Sequence, residues 1–113
     1  MKPKKNKTSD RKATDYVIER PVSKHDPVVN AVAAFAEDIA AAQMMMDAGN
    51  NVDAQQEAVV AAETFDKKCK ELGADLKLRI EPQLGRLYVS FVLRDEHGII
   101  QANFAARRFN QPE

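Results

Sequence analysis

Two histidines, one cysteine and one adjacent pair of carboxylates are the side chains of this 113-residue chain best equipped for chemistry. His25 stands beside Asp26, a base next to a carboxylate that could orient it. Sequence neighbours seldom hold catalytic geometry, and Asp26 has a competing task as a helix cap, so His25 reads as a loop residue. His97 lies in a tight turn with Asp95 and Glu96, a set that could touch a metal, yet one turn offers too few ligands for a closed site. Cys69 falls between Phe65 and Leu72 on an apolar helical seam, where a thiol behaves as a small hydrophobe more often than as a nucleophile. Glu37 and Asp38 are consecutive on a helix, point in different directions and do not share a substrate. No phosphate-cradling glycine loop, metal-spaced Cys/His set or nucleophile motif occurs. The expectation is a protein without catalysis, cofactor, metal or small-molecule substrate.

The elements that would position these residues are marked more clearly. Between Val28 and Ala48 only Asn30, Glu37, Asp38, Gln43 and Asp47 are polar, leaving sixteen apolar residues. A helix that apolar all round needs cover on more than one side. Asp26 caps its start, Pro27 suits the first turn and Gly49 suits the end, which predicts a helix over about 27–48. Val28, Val32, Phe35, Ile39, Ala42 and Met46 recur in fours and threes as its packing seam, and Ala31, Ala34, Ala41 and Met45 form a shallower second stripe. The run is long enough to span a bilayer, but Glu37 and Asp38 at its centre would each cost about 2.5–3.5 kcal/mol there, and a membrane span is not expected.

Asp53 with Gln56 resembles a capping box for a second helix over about 54–72, with seam Ala58, Ala62, Phe65, Cys69 and Leu72 and with Gly73 as its stop. Beyond Gly73 the apolar period falls to two: Leu76, Leu78 and Ile80, then Leu87, Val89, Phe91 and Leu93, then Ile100, Ala102, Phe104 and Ala106. Turns at Pro82 to Gly85 and Asp95 to Gly98 divide strands over about 75–81, 86–94 and 99–107. Pairing Glu81 with Arg86 and Arg94 with Ile99 puts the large apolar residues on one face. The fold expected is α+β: an antiparallel helical hairpin followed by a three-stranded antiparallel β-meander, with a disordered basic N-terminal arm. Residues 1–25 form the arm, with a short extended segment at 16–22 that docks on the domain or on a partner's sheet edge, and 26–113 form a single domain. Between Leu72 and Ile100, the run Asp75-Leu76-Lys77-Leu78, Gly85-Arg86, the valine-rich strand and the turn at Asp95 to Gly98 resemble the conserved half of FlaG-type flagellar proteins. The spacing from the glycine turn to Asp95 differs and the Ile-Pro ending is missing after Ile100, so no function is carried over.

Net charge is zero, but it divides unevenly along the chain. Residues 1–25 hold eight basic and three acidic groups, residues 26–73 hold three and nine, and residues 74–113 hold six and five. No basic residue occurs between 26 and 66. A lone cysteine and the absence of an apolar run after the opening lysines suit a reducing, cytoplasmic setting. The surplus apolar helix and the polarised charge point to a protein-binding module, an adaptor or an inhibitor of the kind that phages and other mobile elements carry. Its expected contact residues are Glu37, Asp38, Met44, Met45, Asp47, Glu57, Glu63 and Tyr88, and a second copy of the chain is among the expected partners. The alternative is nucleic-acid binding by counterion release through Lys2, Lys4, Lys5, Lys7, Arg11 and Lys12, joined by Arg107 and Arg108.

Overall fold

The computed structural model describes residues 14–19, 23 and 25–107. Six elements follow in the order β1 (Thr14–Glu19), α1 (Pro27–Asp47), α2 (Asn51–Glu71), β2 (Asp75–Gln83), β3 (Arg86–Asp95) and β4 (Gly98–Ala105). The class is α+β, a helical hairpin packed on one face of an antiparallel sheet. The sheet has four strands in the order β1-β4-β3-β2, one more than the meander alone. The extra strand comes from the extended segment before α1, which begins at Thr14 and docks on β4 with Ile18 opposite Ile100. Residues 1–13 of the expected arm, and 20–22 and 24 of the link to α1, lie outside the described residues.

Both helices end in the same way because both place a glycine one residue past the last helical turn. Gly49 (φ +90°) donates to Met46 O and Asn50 donates to Met45 O; Gly73 (φ +73°) donates to Lys70 O and Ala74 donates to Cys69 O. These paired bonds satisfy the last carbonyls, and glycine adopts the required left-handed turn without the backbone strain that an L side chain adds. At the start of α1 the Asp26 carboxylate accepts the Val28 N–H at 2.9 Å, as the sequence led one to expect. The second start differs. α2 begins at Asn51, so Asp53 and Gln56 lie inside the first turns and form no capping box, and the Asn50 side chain makes no capping bond. The negative carboxylate of Asp53 there still suits the positive end of the helix dipole.

The core lies between the hairpin and the sheet. Phe35 of α1 stacks on Phe65 of α2 with centroids 4.5 Å apart, and Phe91 of β3 meets Phe65 edge-on at 5.3 Å. Leu87, Val89 and Leu93 of β3 and Ile100, Ala102 and Phe104 of β4 join them, fully or almost fully buried. By length and composition α1 could cross a bilayer, but seven of its residues are buried in this domain. The β3–β4 register is the expected one, with Arg94 opposite Ile99. The β2–β3 register is displaced by two residues from the expected one: Gln83 faces Arg86 and Leu78 faces Phe91. An even displacement leaves every side chain on its expected face. It arises because the turn contains only Leu84 and Gly85, both at positive φ (+53° and +79°), the geometry of a two-residue hairpin turn.

Candidate interaction surface

The residues with chemical potential are brought together only in part. His25 and His97 line one shallow depression of about 470 Å³ with Asp26, Asp95 and Glu96, where the start of α1 meets the β3–β4 turn. Two of its three carboxylates are committed to backbone: Asp26 caps α1, and Asp95 accepts the His97 N–H at 2.9 Å. Among the described residues no three His, Cys, Asp or Glu side chains gather to hold a metal ion. Cys69 is buried on the α2 seam, and its thiol is pushed up to about 11, first by desolvation and then by the nearby negative charge of Asp66. Such a thiol stays protonated and unreactive at neutral pH. Glu37 is exposed on the outer side of α1, whereas Asp38 turns into the cleft between the helices opposite Lys67 and Lys68.

The eight residues expected to touch a partner do not converge on one patch. Met44 is exposed (53 %), but Met45 packs against the core. Asp47 accepts a 2.9 Å bond from Gln43. Glu63 rims a groove between α2 and β2, Glu57 is half-buried on α2, and Tyr88 stands on the sheet face turned away from the helices. Of the basic set proposed for nucleic acid, Arg107 is exposed; Lys2, Lys4, Lys5, Lys7, Arg11, Lys12 and Arg108 lie outside the described residues.

What does form a continuous surface is the flank of α1 turned away from α2. The cleft between the helices is lined on α1 by Asn30, Ala31, Ala34 and Asp38. At 100° per residue the opposite flank carries Val29, Val32, Ala33, Ala36, Ala40 and Met44, none of them charged, and ends at Gln43 and Asp47 in the last turn. Ala33 and Met44 are exposed and the other four half-buried. α1 lies over β3 and α2 over β2, and Ile100, Ala102 and Phe104 of β4 are buried beside α1, so among the described residues the strand left uncovered on the helix side is β1. There Ile18, on the helix side of β1 beside Ile100, remains 49 % exposed. An apolar ridge thus borders an uncovered quarter of the sheet.

Three features escaped the sequence. Gln43, wholly buried, accepts the Leu87 N–H through Oε1 at 2.8 Å and donates through Nε2 to Gly85 O at 2.9 Å, so it ties α1 to the β2–β3 turn. Its only sequence signal is a long polar side chain next to the buried seam. Leu84, fully exposed at the tip of that turn, carries a backbone angle that leucine disfavours. The free edge of β2 becomes visible only once the strand order is known. Compared with known proteins, the chain matches no family model, no curated protein and no solved structure.

Proposed function

We propose that this chain is a non-enzymatic protein-binding module, an adaptor or inhibitor acting in the cytoplasm, and that the outer flank of α1 is where its partner docks. One observation carries the reading: a helix flank that carries no charged side chain from Val29 to Met44 borders β1, the strand that no described helix covers. A two-layer domain normally covers such a face with a further element, and a helix or strand from another protein can take that place. Alanines at 33, 36 and 40 let a second backbone approach closely, and Met44 adapts its thioether chain to the contact. The surrounding acids, Glu37 above all, favour a partner whose apolar ridge is rimmed by Lys or Arg.

Affinity capture from the native cell, run with the intact chain and with an Ala33→Glu, Ala40→Glu variant, tests the reading. A protein retained by the intact chain and lost with the variant supports it. Equal retention by both overturns the assignment to α1.

A further inference from the structure

We propose that two copies of this chain join edge to edge along β2, continuing the sheet across a two-fold axis and setting α2 beside its mate. In the order β1-β4-β3-β2 the strand β2 has one neighbour among the described residues. A two-residue turn makes Gln83 and Arg86 exchange both their backbone bonds, so the N–H and C=O groups of Leu76, Leu78 and Ile80 point away from β3. Pro82 falls on that same outward side, where its missing N–H costs β3 nothing. Beside this edge runs a groove of about 320 Å³ lined by Ala58, Val59 and Ala62 of α2 and by Leu78 and Ile80 of β2, with Val59 itself 55 % exposed.

Charge selects the occupant and the register. Arg79, exposed, and Glu81, half-buried, stand on the outer face of β2 and pair with each other at 2.6 Å along the strand. Antiparallel pairing of β2 with its own copy centred on Leu78 would set Lys77 against the second copy's Arg79, and pairing centred on Arg79 would set that residue against itself. Centred on Ile80, each Arg79 faces the second copy's Glu81, Lys77 faces Gln83, and the two Ile80 side chains meet on the helix side. In that register Ile80 N–H donates to the second copy's Ile80 C=O and Leu78 N–H to its Pro82 C=O, each bond repeated by symmetry. The same axis brings the two Val59 side chains toward one another above the joined strands. Charged residues and a proline on an edge strand ordinarily deter pairing with arbitrary strands. Here Arg79 and Glu81 are placed so that one strand, the copy of β2 in this register, meets them without like charges opposed.

Sedimentation equilibrium of the full chain over a concentration series tests the assembly. The expected mass is twice the 12.6 kDa of one chain. Arg79→Glu or Glu81→Arg alone sets like charges face to face at two places and weakens dimerisation by about tenfold or more. Both changes in one chain restore it, and mixing the two single variants gives a heterodimer, because each Glu then faces an Arg again. Arg79 is exposed and Glu81 half-buried, and an unchanged far-ultraviolet circular dichroism spectrum shows that folding is intact, whereas the melting midpoint falls with the loss of the dimer. A monomeric native chain throughout the series, or single variants that dimerise like the native chain, overturns the proposal. None of these changes touches α1, so this outcome and that of the α1 capture are independent.

Discussion

Replacing Gln43 with Met is expected to lower stability by about 2–3 kcal/mol, although it puts an apolar side chain of similar length into an apolar core. The amide makes three bonds, to Leu87 N–H at 2.8 Å and to Gly85 O and Asp47 Oδ1 at 2.9 Å. Methionine can replace none of them. Leu87 is buried, so its N–H is stranded away from water, at a cost of about 1–3 kcal/mol, and each of the other two lost bonds costs about 1 kcal/mol. Burial of the thioether chain offsets about 1–2 kcal/mol of this. For a domain of this size each kcal/mol moves the midpoint by about 4–8 °C, which places the Gln43→Met melt about 10–20 °C below that of the native chain. Circular dichroism at the helix band during heating reads the midpoint, and urea unfolding with an unchanged slope shows that the denatured state is not responsible. A variant melting within about 3 °C of the native chain would refute the reasoning, because the stranded N–H would then have found another partner.

Leu84→Asn should raise stability by about 0.5–1 kcal/mol, since asparagine tolerates the positive φ that leucine resists and no buried contact is lost; a lower melting midpoint would contradict the turn assignment. Phe65→Ala removes the ring in contact with both Phe35 and Phe91 and should cost about 3–5 kcal/mol in chemical denaturation. Asp26→Ala should cost about 1 kcal/mol through loss of the Val28 cap, read as a lower urea midpoint. Cys69 should resist iodoacetamide in the native state and react once urea unfolds the chain. Its folded pKa of about 11 lies above the ordinary 9.0, so the thiol adds stability that is complete below about pH 9 and lost as pH rises through 11; Cys69→Ala should flatten that part of the pH–stability curve.

The helical hairpin was legible because both seams repeat at helical spacing and both helices carry a glycine stop; of the predicted α1 seam Val28, Phe35, Ile39, Ala42 and Met46 are buried and Val32 is half-buried, while Ala31 and Gln43 are buried besides. The β2–β3 turn was misplaced because Pro82 looks like turn material, whereas a free edge accepts a proline that a central strand would exclude. Leu84 hid the true turn, since hairpin turns of that kind are recognised by Asn, Asp or Gly. β1 was legible as an extended segment but not as a fourth strand, because its pairing depends on β4, whose partner residues lie 80 to 90 positions further along the chain. The apolar surplus of α1 was readable, but which residues carry it depends on the helix's rotation over β3. The expected contact residues scattered for the same reason, since charge and residue type do not say which way a side chain turns.

The pairing of β1 with β4 brings the first described strand and the last together, with Thr14 opposite Phe104. A ribosome releasing this chain would therefore deliver β1 long before anything exists for it to hold. Until the final strand emerges, the early segment stays available to chaperones or to stray strands, and termination just before Gly98 would leave β1 without its strand and β3 with a bare edge. The same neighbourhood places Thr14 and Ala105 at one end of the sheet. Joining them with a short linker and opening the chain at the Asn50 turn is thus a rearrangement of connectivity that this architecture is suited to survive.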